Sequence, residues 1–188
     1  IAKNTLMLYI RMLFSMFVGL YTSRITLNAL GVDNYGIYNV VGGIVSLLTF
    51  INSSMSIAVQ RFLTYDIGKK RHEELNQTFN TSVLIHIIIA VVVFVLAEIL
   101  GYYMLNNVLN IPSNRYNVAI FAFHFSVITA CINIIRVPFN ALIIAYEKMG
   151  IYAFISIIES IILLFNAFVI SYICFDKLKF YSILLTIS

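Results

Sequence analysis

Eight ionisable side chains lie inside stretches that are otherwise apolar: Arg11, Arg24, Arg61, Arg136, Glu98, Glu159, His86 and His124. A charge near the middle of a bilayer costs about 2.5–3.5 kcal/mol on insertion scales, so such groups face a bundle interior or a wet cavity unless they snorkel from a helix end. Snorkelling is as good an account as a pathway for Arg11, Arg61, Glu98 and Arg136. A guanidinium stays protonated where water is scarce and grips phosphate or carboxylate oxygens with two parallel hydrogen bonds. The positions of these groups are therefore clues to a pathway, in which a buried arginine would select an anion.

Helical spacing groups further polar residues. Positions three, four or seven apart share a face, and Asn39, Gly42, Ser46, Thr49, Ser53, Ser56, Gln60 and Thr64 make one polar or small stripe. Ser126, Thr129, Asn133, Arg136 and Asn140 make a second, and Tyr152, Ser156, Glu159, Ser160 and Asn166 a third. Asn39, Ser46, Ser53, Gln60 and Asn133 are the predicted lining of a cavity. Close packing of small residues explains the glycine and serine members equally well; Gln60 and Arg61 fit packing less well. The segment from Asn4 is ambiguous: Arg11, Ser15, Thr22 and Thr26 share one face, while Phe17, Arg24 and Asn28 lie nearly opposite.

The elements that carry these stripes follow from composition. Hydrophobic residues make up 61% of the 188-residue chain and charged residues 11%, and the mean hydropathy is +0.95, more apolar surface than a soluble domain of this size can hide. Crossing a hydrocarbon layer about 30 Å thick takes roughly 20 helical residues. Apolar runs at residues 5–30, 37–64, 79–105, 117–140 and 151–174 are long enough, and a sixth, 180–188, is incomplete. Strands are excluded as spanning elements by the lack of sustained alternation. The expected fold is all-α, a polytopic membrane helical bundle. Short polar connections make neighbouring helices antiparallel, and Pro138 should bend or end the fourth span. Lys3, Lys69, Lys70, Arg71 and Lys148 fall on one side against Arg115, Lys177 and Lys179 on the other, which orients the N-terminus to the cytoplasm. Tyr35, Tyr38, Tyr102, Tyr103, Tyr116 and Tyr172 near run ends fit an interfacial belt. The absence of an initiating Met and the apolar ILLTIS at the end point to truncation at both termini.

Other chemistries find no footing. The net charge of +4 is scattered along the chain, which argues against nucleic acid. RHEELN lacks the second His of a zinc-binding helix, and no Gly-rich phosphate loop or nucleophile motif occurs. Cys131 and Cys174 are isolated, without metal or disulfide spacing. No catalytic residue, metal ligand or cofactor is expected, and the sequons at Asn52, Asn76 and Asn80 are discounted.

Three blocks carry a resemblance: YTSRITLNALGVDNYGIYNVVGGIVSLL from Tyr21, MSIAVQRFLTYDIGKK from Met55 and RVPFNALIIAYEKMGIYAFISIIE from Arg136. In order and extent they resemble the polysaccharide and O-antigen flippases of the multidrug/oligosaccharidyl-lipid/polysaccharide exporter superfamily. The resemblance implies two pseudo-symmetric lobes around a central cavity, with residues 1–188 as a partial N-terminal lobe and the second lobe absent. It also implies alternating access that moves an undecaprenyl-diphosphate-linked glycan across the bacterial inner membrane in lipopolysaccharide or other polysaccharide biosynthesis. A proton or sodium gradient would drive it, with Glu159, and after it His124, as the titrating group; a polysaccharide polymerase and glycosyltransferases would be partners, alongside the lipid bilayer. For the diphosphate the resemblance carries over Arg24 in YTSRI first and Arg61 in QRF second, with Arg11 and Arg136 behind them. A multidrug cation antiporter of the same superfamily would favour acidic and aromatic cavity groups, against which four intramembrane arginines stand opposed to two glutamates. A non-transporting membrane scaffold would use the stripes only for packing.

Overall fold

A computed structural model describes residues 2–109, 111–173 and 176–187; Cys174 and Ser188 lie outside the described residues. It is 90% helical, without strands among the described residues. The helices are α1 (Ala2–Leu48), α2 (Ile51–Gly68), α3 (His72–Asn107), α4 (Tyr116–Ala145), α5 (Met149–Tyr172) and α6 (Lys177–Ile187). Among the described residues, four stretches are long and apolar enough to cross a membrane: Thr5–Leu47, His72–Asn107, Tyr116–Ala145 and Met149–Tyr172. Helices are the element that satisfies every backbone group internally in lipid, and the side chains turned outward suit that solvent: Leu84, Val91 and Ile99 on α3 are 58%, 58% and 63% exposed.

Inside α1 the chain doubles back. Gly31 adopts φ 78°, ψ 165°, a conformation open almost only to glycine. Before it, residues rise alongside α5: Met7 meets Gly150, Ser15 Oγ lies 3.0 Å from Ser160 Oγ, and Tyr21 stacks near Phe168. After it the direction is reversed. At the turn itself Leu30 clusters with Ile170 and Val118; beyond it Val41 and Val45 pack on Phe123 and Val127, and Val59 and Leu63 in α2 reach Ala141 and Ala145. The expected first and second spans therefore both exist, and helix resumes directly after Gly31 without a longer polar connection.

The second span departs from its prediction as one helix over 37–64. It is interrupted at Thr49 and Phe50 and continues to Gly68. Around the interruption the backbone tightens into three-residue hydrogen bonds, Thr49 N–H to the Ser46 carbonyl (3.2 Å) and Asn52 N–H to the Thr49 carbonyl (3.0 Å). Ser46, Thr49 and Ser53 hydroxyls each donate to a carbonyl three residues back, offering the backbone an alternative partner that bends helices.

α3 and α4 pack antiparallel. Leu75 meets Ala141, Ala90 and Val93 meet Ile134, and Ala97 and Leu105 meet Phe123. α3 starts at His72, so His72, Glu73 and Glu74 form a helical first turn, where carboxylates suit the positive end of the helix dipole. Pro138 does not end α4, which runs on to Ala145; its ring is buried against neighbours, and packing compensates for the hydrogen bond it removes. The expected sixth element begins at Lys177, with Leu178 buried beside Val118 and Ala122.

Candidate functional site: a polar cavity between α1, α4, α5 and α6

Three predicted polar stripes converge on one cavity of about 800 Å³. α1 contributes Tyr38, Gly42 and Ser46; the interruption after it gives Thr49, and α2 gives Asn52. α4 presents Ser126, Thr129, Asn133 and Arg136 at intervals of three and four residues, one face of a helix. α5 supplies Glu159, and α6 supplies Ser182 and Thr186.

At one end of the cavity Arg136 meets Glu159. Nη1 donates to Oε1 at 2.7 Å and Nη2 to Oε2 at 3.5 Å, a fork in which the second prong is long. The side chains are 43% and 29% exposed and both line the cavity, so the pair is reached from its open space. These are the only charged residues in the described lining, which leaves the cavity near neutrality. Deeper in, Thr129 and Thr186 hydroxyls lie 2.9 Å apart and each reaches the Phe125 carbonyl. Asn166 Nδ2 donates to the Leu184 carbonyl at 3.3 Å and ties α5 to α6. Tyr38 and Tyr181 rings meet edge-on at 5.1 Å toward the Gly31 end.

Of the predicted cavity residues, Ser46 and Asn133 line this space, with Arg136 and Glu159. Asn39 is exposed and donates to its own Tyr35 carbonyl; Ser53 is exposed and Gln60 half-buried, both outside the lining. The tightened turn explains the change of register. With three-residue repeats at 46, 49 and 52, the polar face advances as in a 3₁₀ turn, so Asn52 takes the place that a continuous α-helix assigns to Ser53. Sequence spacing had no means to find Asn52, because the extra twist arises from an interruption without Gly or Pro.

The remaining arginines are elsewhere. The Arg11 face of α1 turns inward: Arg11 stacks on Tyr152 at 4.4 Å, Ser15 bonds Ser160 and Thr26 is buried. The opposite face, with Phe17, Arg24 and Asn28, is exposed. Arg61 on α2 is exposed too. His124 Nδ1 lies 2.9 Å from Glu98 Oε1 on the outward side of α3 and α4, apart from the cavity. At the end of the bundle where α2 gives way to α3, Arg71 pairs with Glu74 at 2.8 Å, and the hydrogen bond to that carboxylate raises the guanidinium pKa. Among the described residues no cluster of His, Cys, Asp or Glu could hold a metal.

A helical bundle with spans long enough for a membrane and a polar cavity between its helices narrows the choice of family, and the comparison decides it. The MatE family model matches residues 1–173. The chain belongs to the MatE family. That family falls within the exporter superfamily that includes lipid-linked polysaccharide flippases and multidrug exporters, so this MatE chain is a multi-pass transporter protein in contact with the lipid bilayer. No curated protein and no solved structure matches it.

Proposed function

We propose that this MatE chain serves as a lobe of a flippase for undecaprenyl-diphosphate-linked glycans in a bacterial inner membrane, with its N-terminus cytoplasmic. The observation that carries the reading is the make-up of the cavity: one guanidinium, Arg136, among neutral hydroxyl and amide groups from Ser46, Thr49, Asn52, Asn133 and Thr186. Hydroxyls and amides both donate and accept, which suits sugar hydroxyls, and a guanidinium suits a phosphate oxygen pair. A cation exporter would leave its acidic cavity group free, whereas Glu159 is neutralised by Arg136. Arg24 and Arg61, exposed on α1 and α2, are assigned to the headgroup's route toward a second lobe. Glu159 and His124 are assigned to proton or sodium coupling.

The test is surface polysaccharide export in cells whose own copy is replaced. Arg136→Ala and Arg24→Ala are each expected to abolish export with membrane insertion intact, and the lysine variants to keep part of it. Wild-type export by Arg136→Ala removes the cavity from the glycan route. Unchanged export combined with lost tolerance to cationic drugs reassigns the chain to drug efflux.

A further inference from the structure

A guanidinium offered to a phosphate ought to be vacant, and this one is not. Arg136 on α4 is gripped by Glu159 from the neighbouring α5, at 2.7 Å and 3.5 Å. The carboxylate occupies the same two-pronged geometry that a phosphate would use. Ser15, Ser160 and Ser156 link hydroxyl to hydroxyl to carbonyl one residue further along, which fixes the part of α5 from which Glu159 projects. The pair stands part-exposed in the cavity wall and its second prong is long, so the hold is weak enough to be exchanged.

From these relations we infer that Glu159 is a resident competitor for Arg136: it occupies the anion site while the cavity is empty and yields to an incoming anion that uses both prongs better than a carboxylate does. The inference rests on Arg136 being the headgroup site proposed above, and adds what selects for the headgroup. A diphosphate carries more negative charge than a carboxylate and can keep both guanidinium prongs short. Chloride has no second oxygen to offer, and a simple carboxylate gains nothing over the one already present. The displaced Glu159 has neutral amide donors in the same cavity, on Asn52 and Asn133. No second cation stands in the described lining to recapture it, so the exchange reverses when the anion leaves.

The experiment is calorimetric titration of inorganic pyrophosphate into the purified protein in phosphatidylcholine nanodiscs. Glu159→Gln is expected to bind pyrophosphate about two- to fivefold tighter than wild type, the range set by a half-exposed ion pair. Arg136→Gln and the double variant are expected to show no cavity binding, and acetate to bind Glu159→Gln but not wild type. A gain of affinity is an outcome that misfolding does not produce, and Arg136→Lys guards the loss-of-binding arm. If Arg136→Gln loses binding while Glu159→Gln is no tighter than wild type, the competitor role is overturned and the headgroup site stands. If Arg136→Gln binds as wild type does, or no variant binds at all, the headgroup site falls and the competitor with it.

Discussion

Gly101 on α3 stands directly against the Phe123 ring of α4: a Cβ at residue 101 would run into the ring at Cζ, Cε1 and Cε2. Phe123 is 1% exposed and is the largest of the fully buried side chains, so its ring has little room to retreat. The contact sets how closely α3 and α4 approach, and it does so one turn from the Glu98–His124 pair. Small residues at such crossings let membrane helices close up where the hydrophobic effect cannot drive them together.

Gly101→Ala is accordingly expected to destabilise the bundle by about 1–3 kcal/mol, the usual cost of forcing a methyl group into a packed interior. The readout is the midpoint of thermal unfolding of the purified protein in detergent. A second-site change to a smaller ring-free side chain, Phe123→Leu, is expected to recover part of the loss in the double variant. An unshifted midpoint for Gly101→Ala would mean that the two helices separate more easily than their packing implies.

Gly31 and Gly19 make a matched pair in α1. A Cβ at either position meets nothing within 4 Å, but Gly31 alone has a positive φ. Gly31→Ala is expected to cost about 1–3 kcal/mol through backbone strain where the chain doubles back, with reduced folded yield. Gly19→Ala, in a helical interior, is expected to be neutral or to stabilise by about 0.5–1 kcal/mol. Folded yield by size-exclusion chromatography and unfolding midpoints of both variants check the contrast; equal behaviour would remove the strain argument.

The same residues show how far the sequence could be read. Apolar run lengths located the spans, because in lipid a stretch of about 20 mostly apolar residues has hardly any other stable conformation, but not the break at Thr49 and Phe50 that divides the second span between α1 and α2. The Ser126–Arg136 stripe on α4 was legible for a related reason: an uninterrupted helix keeps its phase, and Asn133 and Arg136 arrive where their spacing puts them. Pro138 did not break that phase, since neighbouring helices cover it. The stripe through Ser46 and Ser53 was legible only to Thr49, where three-residue hydrogen bonds change the pitch. Both faces of the first span carried an arginine, and choosing between them took the Arg11–Tyr152 and Ser15–Ser160 contacts with α5. Those partners lie more than 140 residues away in sequence, beyond the reach of periodicity. The Arg136–Glu159 pair is only 23 residues apart but joins two different helices, which periodicity within one helix cannot relate.

His86 is 1% exposed, and its Nδ1 sits 2.7 Å from the Ser82 carbonyl. A carbonyl can only accept, so Nδ1 carries the proton and Nε2 is an acceptor, buried without a hydrogen-bond partner. An unsatisfied buried acceptor costs free energy, whereas an apolar group of similar shape avoids that cost. His86→Leu is therefore expected to change stability by less than about 1.5 kcal/mol, and His86→Arg to destabilise by more because an unpaired charge would be buried. Unfolding midpoints of the two variants decide; a large loss with His86→Leu would show that the imidazole makes an interaction its geometry does not account for.

Water access separates a transport cavity from packed scaffolding. Ser46 and Asn133 are exposed and line the 800 Å³ space, whereas Val127, on the same helix as Asn133, has 0% exposure and packs on Val41 and Phe123. In a background with Cys131 and Cys174 replaced by alanine, Ser46→Cys and Asn133→Cys are expected to react with a membrane-impermeant thiol reagent. Val127→Cys is expected to stay unlabelled until the protein is denatured. A thiolate forms only where water and counter-charge reach the sulfur, so labelling reports the aqueous route rather than mere proximity to a gap. Protection of Ser46→Cys by added pyrophosphate, abolished by Arg136→Gln, would place the anion and the probe in the same hollow. If neither cavity cysteine is labelled from either side of the membrane, the polar stripes serve only to pack helices together.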